Sequence, residues 1–164
     1  MTIILTRTVN YGWCAMTISQ KCQYAVRAIL DLAQRWERGP VRSGEVAARQ
    51  AVPPRFLENI LNELKASGLV ESRRGAQGGF MLACDPRELT VGRVIRLIDG
   101  PLDPVRCTKD SSHSECPLHG RCSFLAVWEE AKAAVEAVYD RMTFAELARR
   151  QNAMDAGQSL EYSI

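Results

Sequence analysis

Apolar residues recur with a helical period from about residue 19. Ala25, Ile29, Leu32, Ala33 and Trp36 fall at i, i+4, i+7, i+8 and i+11. This stripe predicts an amphipathic helix starting after Ser19, whose hydroxyl suits an N-cap. Gly39-Pro40 ends it, glycine where a left-handed residue is wanted and proline where a helix cannot continue. The run SGEVAARQ predicts a short second helix capped by Ser43. Pro53-Pro54 then opens a third, because a first-turn proline gives up no helical hydrogen bond. In that helix Phe56, Leu57, Ile60, Leu61 and Leu64 share one face, and Arg55, Glu58, Asn59 and Asn62 share another. Gly68 ends it.

The pattern then changes. Two β-prone pieces, Leu69–Ser72 and Gly79–Leu82, flank Arg73-Arg74-Gly75-Ala76-Gln77-Gly78, which predicts a hairpin with a basic, glycine-rich tip. Thr90 caps a helix with Val91, Val94, Ile95 and Ile98 inward, and Gly100-Pro101 stops it. The following segment, RCTKDSSHSECPLHGRCSF over residues 106–124, is polar and has no apolar period. Phe124, Trp128, Ala131, Val135, Val138 and Met142 come next, spaced 4, 3, 4, 3, 4. That heptad seam predicts a long helix able to pair with its copy in a second subunit, or to pack on its own domain. Thr143-Phe-Ala-Glu146 reads as a capping box for a last short helix.

The fold class predicted is mainly α with a small β-hairpin wing: a winged helix-turn-helix plus a long dimerisation helix. The expected divisions are an N-terminal extension (1–15), the DNA-binding unit (16–100), a cysteine loop (101–122), the dimerisation helix with a short C-terminal helix (123–151) and a polar tail (152–164). In a winged helix-turn-helix the third helix enters the major groove and the wing reaches backbone or minor groove. Arginine can bond bidentately to guanine, asparagine to adenine, and glutamate can accept from cytosine. The alternative for any one of these side chains is an ordinary solvated helix face.

Charge supports the nucleic-acid reading weakly. The chain's net +2 divides into +4 for residues 16–83, −3 for residues 84–164 and +1 from Arg7, so the surplus lies in the half that would meet a polyanion. No apolar run is long enough to span a bilayer, and the first residues lack the charged region of a secretory signal. The expectation is a cytoplasmic protein with reduced thiols.

Three of the six cysteines and both histidines lie in the 106–124 segment. A disulfide, a metal site and chance are the candidates, and a reducing compartment demotes the first. Cys107, Cys116 and Cys122 are spaced C-x8-C-x5-C, which does not match the short pairs of zinc knuckles. Thiolates also hold iron–sulfur clusters, and open loops between ligands suit a larger inorganic core. Cys14 and Cys84 read as inert.

The runs MTISQKCQYAVRAILDLAQ, GPVRSGEVAARQAVPPRFLENILNELKASGLVESRRGAQGGFML and TVGRVIRLIDG resemble the bacterial winged-helix iron–sulfur regulators that include IscR, NsrR and RirA. The resemblance covers about residues 16–150, and GLVESRRGAQGGF, similar to the family's wing, is its most specific part. It implies a homodimeric regulator, usually a repressor, on a palindromic double-stranded operator, with the long helix at the dimer interface. It implies DNA contacts at Arg55, Glu58 and Arg74; Asn59, Arg73 and Gln77 join them by position on the same face and tip. It also implies that Cys107, Cys116 and Cys122 hold an iron–sulfur cluster, 2Fe–2S or 4Fe–4S, that senses iron, nitric oxide or redox state. The family's fourth-ligand positions are occupied here by Leu125 and Gln23, so Cys22, His119, or a water or small thiol stands in that role. The competing reading is a winged-helix regulator without a cluster, its cysteines forming a thiol-disulfide switch or a zinc site. An enzyme is not expected: there is no CxxC pair, no His–Asp partner set and no glycine-rich cofactor loop after a strand.

Overall fold

A computed structural model describes residues 18–75, 77–108, 117–118 and 120–161. Six α-helices and one hairpin are formed by these residues: α1 Gln20–Ala33, α2 Ser43–Gln50, α3 Pro54–Ala66, β1 Val70–Arg73, β2 Gly79–Leu82, α4 Val91–Asp99, α5 Leu125–Arg141 and α6 Phe144–Glu161. The fold is mainly helical with a two-stranded antiparallel wing, as expected.

The core is built around α1. Its inward residues are small or branched: Ala25, Ala28 and Ile29 are fully buried and Leu32 nearly so. Alanine lets neighbouring backbones approach closely, and α2, α3, α4, α6 and β2 all contact this one helix. Leu57, Ile60, Leu61 and Leu64 of α3, Val46 of α2, Val94 of α4 and Phe144 of α6 complete the cluster. The hydroxyl of Ser19 accepts from the amide of Cys22 at 3.0 Å, and Thr90 caps α4 in the same way through Arg93.

The wing has a third piece. Val41 and Phe80 exchange both backbone hydrogen bonds at 2.8 Å, which extends the hairpin across the entrance to α2. Glycine at 79 is required there, because a Cβ would collide with the Val41 carbonyl. The hairpin register pairs Val70 with Leu82 and Arg73 with Gly79.

Four expectations are corrected. Trp36 lies beyond α1, which ends at Ala33, though its ring still packs against the core. Ser43 is the first residue of α2, not its cap; Arg42 holds the N-cap position without a side-chain bond. Phe56 is 59% exposed rather than inward. The last helix is not short: α6 runs on to Glu161, taking in most of the segment expected to be a tail. Thr143 does cap it, accepting from the Glu146 amide at 3.3 Å. The Glu146 carboxylate instead binds Arg149 and Arg150.

One buried charge fastens α1 to α2. Asp31 is fully buried, and Arg49 grips it bidentately with two bonds of 2.8 Å. Gln50 and Arg35 complete its surroundings at 3.3 Å. Removing the partner of a buried charge leaves that charge uncompensated, which costs far more than losing an exposed pair. Arg49→Ala is therefore expected to lower unfolding free energy by about 2–4 kcal/mol in urea titrations. Lys21→Ala, which breaks the exposed Lys21–Glu63 pair at 2.7 Å, is expected to cost less than about 1 kcal/mol.

Candidate functional site

The turn between α2 and α3 is tight. Ala51 adopts a left-handed conformation (φ 50°) at the end of α2, and Val52 is buried at its corner. Pro53 then caps α3 and Pro54 occupies its first position. With Leu57, Ile60, Leu61 and Leu64 sunk in the core, the opposite arc of α3 must face solvent. Arg55, Glu58 and Asn59 are all exposed there. None of the three makes a side-chain hydrogen bond or ion pair among the described residues, so each is available to a partner.

The wing stands beside this arc. Lys65 near the end of α3 donates to the hydroxyl of Ser72 on β1 at 2.7 Å, which ties α3 to the wing. At the tip Gly75 has φ 111°, and the Gly78 amide donates to its carbonyl at 2.9 Å. A Cβ at Gly78 would strike the Arg73 carbonyl. The turn thus needs glycine at both places and projects Arg73, Arg74 and Gln77 into solvent. Arg73 has only a loose pairing with Glu71 at 4.0 Å. Five positive or amide-bearing groups (Arg55, Asn59, Arg73, Arg74, Gln77) together with Glu58 therefore form an exposed polar surface on two joined elements.

The cysteine loop leaves α4 through Gly100 (φ 85°). Its first part is anchored to α5: Lys132 donates at 2.7 Å to Asp103, whose side chain is 2% exposed, and at 3.2 Å to the Thr108 carbonyl. Cys107 sits in the intervening 3-10 turn, Arg106–Thr108. At the other end the Cys122 carbonyl accepts from the Leu125 amide at 3.3 Å, and Phe124 stacks on Trp128 with centroids 6.2 Å apart. Cys107 and Cys122 are both half-buried free thiols. Cys116 and His119 lie outside the described residues, as do His113 and Cys14. Among the described residues no three His, Cys, Asp or Glu side chains converge on one point.

Cys22 is one of the candidate fourth ligands. It is fully buried under the first turn of α1. Burial first, and then the neighbouring Asp99 carboxylate to which its thiol donates, push its pKa up to about 12. Asp99 is already fixed there by the Ser19 amide at 2.8 Å and hydroxyl at 2.6 Å. Gln23 beside it is exposed, but its amide donates to the Ile18 carbonyl at 3.1 Å. Leu125, half-buried at the start of α5, has no donor atom. Sequence reasoning missed the Lys132–Asp103 anchor, because a 29-residue separation has no local signature.

Residues 18–150 match the Rrf2 family, described as an iron-dependent transcriptional regulator. The chain belongs to this family. IscR of Serratia proteamaculans, an HTH-type transcriptional regulator, is 32% identical over 139 residues, covering 85% of this chain and 83% of its own. Rv1287 of Mycobacterium tuberculosis is 38% identical over 134 residues, 81% of each chain. Among solved structures, IscR of T. potens superimposes with TM-score 0.64 at 35% identity over 82% of this chain and 88% of its own. CymR, the global cysteine regulator of B. subtilis, gives 0.67 at 30% identity over 82% and 97%. The chain is thus an Rrf2-family helix-turn-helix transcriptional regulator, a family of regulators and not of enzymes. No helix among the described residues is long and apolar enough to cross a membrane.

The burial of Cys22 sets a pH window. Its folded pKa of about 12 stands above the ordinary 9.0. The unfolded chain therefore loses this proton first as pH rises, and stability falls between about pH 9 and 12. Cys22→Ala is expected to flatten that decline in urea unfolding followed against pH. In the native apo-protein at pH 8, alkylation followed by peptide mass mapping is expected to label Cys107 and Cys122 well before Cys22.

Proposed function

We propose that this chain is a homodimeric transcriptional regulator, a repressor by the usual habit of such folds, whose occupancy of a palindromic operator is set by an iron–sulfur cluster. The observation that carries the reading is the division of the molecule. An exposed polar surface on α3 and the wing lies on one side of the sequence, and a thiol-bearing loop joins it to a helix with an unsatisfied apolar seam.

The DNA half of the reading assigns α3 to the major groove. Arg55, Glu58 and Asn59 address base edges, and Arg73, Arg74 and Gln77 address phosphates or the minor groove. The dimer half rests on α5. None of its 17 residues is buried, Phe124 and Val138 of the seam are 62% and 51% exposed, and Ala134, Val135, Val138 and Tyr139 line a shallow groove of about 260 Å3. A second α5 covers this seam and places two recognition helices on two half-sites, as palindromes require.

The donor chemistry of the loop fits a cluster. Cys107 and Cys122 are half-buried, bracket the loop and are not sequestered as Cys22 is. With Cys116 they supply three thiolates; Cys22, His119 or a non-protein ligand takes the fourth place. Bound there, a 2Fe–2S or 4Fe–4S cluster would supply a centre whose integrity depends on iron, oxidants or nitric oxide. The chain's own contribution is mechanical. Lys132 clamps the Cys107 turn onto α5, so the order of the loop bears directly on the helix that sets the spacing of the two DNA-reading heads. A state of the loop that favours one spacing shifts operator occupancy by its differential affinity. A regulator using the same cysteines as a disulfide switch or zinc site is the competing reading.

Anaerobic isolation distinguishes them. The expected protein is coloured, with visible absorbance, iron and acid-labile sulfide. A colourless protein lacking sulfide before and after reconstitution contradicts the cluster. In the same preparation Arg55→Ala and Arg74→Ala are expected to keep the colour and weaken operator binding, Arg55→Ala by about 10-fold or more.

A further inference from the structure

The polar arc of α3 contains one residue out of keeping with it. Phe56 is 59% exposed, in the first turn of the helix, directly after Arg55 and three residues before Asn59. Its neighbours along the helix explain the exposure. The core face is completed by Leu57, Ile60, Leu61 and Leu64, and residue 56 lies about a quarter-turn away from its centre, on the flank shared with Asn59 and Glu63. Further along that flank Glu63 is held in an exposed ion pair with Lys21 at 2.7 Å, and the flank is open ahead of Phe56, toward the helix N-terminus. Pro53, Pro54 and Arg55 there are also exposed.

An exposed aromatic side chain is unremarkable when isolated on a surface. Here its position is constrained. The N-terminal residues of a recognition helix are those that meet base edges in the major groove. The apolar group a base pair displays there is the C5-methyl of thymine, and phenylalanine is among the side chains suited to it. The charges around Phe56 match a polyanion rather than an apolar protein surface: Arg55 is on the same turn, and Arg73 and Arg74 are on the wing tied to α3 through Lys65 and Ser72. We propose that Phe56 is a specificity-determining residue that reads a thymine methyl in each operator half-site. The proposal rests on the assignment of α3 to the major groove.

The test uses the full-length protein and a duplex that it selects from a random-sequence pool. Each thymine of the selected site is replaced in turn by deoxyuridine, which removes the methyl and keeps the pairing. Binding is read by fluorescence anisotropy at fixed salt. One thymine per half-site is expected to show about fourfold weaker binding on losing its methyl, the worth of one buried carbon. Phe56→Ala is expected to weaken binding at least as much and to abolish the difference between thymine and deoxyuridine at that position alone. Phe56→Leu is expected to restore most of that difference, and unchanged circular dichroism checks that both variants fold. A site indifferent to every deoxyuridine, or a methyl effect that persists in Phe56→Ala, overturns the proposal while leaving the DNA-binding face intact. Failure to select any sequence overturns the assignment of α3 itself.

Discussion

The structure depends on one constraint, the close approach that the alanines of α1 permit. Ala25 and Ala28 are fully buried, and the helix touches α2, α3, α4, α6 and β2. Larger residues there would push those elements apart, because cores at crystal-like density absorb extra methylenes poorly. Recognition helix, wing strand and the helix leading to the cysteine loop are therefore referenced to one rigid axis. The ends of that axis are pinned by polar contacts: Arg49 holds buried Asp31 from α2, and Asp99 at the end of α4 holds Ser19. Tight packing on one helix makes these elements resist separate displacement.

The thiols divide along the same lines. Cys22 belongs to the axis, and burial together with Asp99 keeps it protonated. Cys84, partly buried after the wing, is likewise raised mainly by burial. Cys107 and Cys122 belong to the loop and are accessible by comparison. Position in the fold rather than residue type sets how exposed each of these thiols is.

Much of this was legible in the sequence. Helices α1, α3 and α4 have apolar stripes and caps that tertiary packing only reinforces, and the glycine-rich wing tip is required by its turn geometry. The exposed placement of Arg55, Glu58 and Asn59 followed from the α3 periodicity, and that of Arg73, Arg74 and Gln77 from the glycine-rich hairpin tip. What escaped has physical reasons. Phe56 sits at the border of its helix's apolar arc, where hydrophobicity and orientation disagree. The bridge from Val41 to Phe80 joins residues 39 apart, and such pairing leaves no periodic trace. Beyond residue 151, α6 has no apolar stripe; contacts such as Gln151–Asp155 and Gln34–Asn152 accompany its continuation. The burial of Cys22 was illegible because a cysteine looks identical on paper whether it faces a neighbour or the core.

If, as proposed, the state of the cysteine loop governs the affinity of the α3 surface for DNA, loaded and stripped protein must differ in operator binding. The most direct measurement compares the anaerobically isolated, cluster-loaded protein with the same preparation after chelation, each titrated onto a selected palindromic duplex at several salt concentrations. The dissociation constants of the two forms are expected to differ about tenfold or more, within the usual span of allosteric coupling. Equal dissociation constants for the loaded and stripped protein, across the salt series, would contradict it.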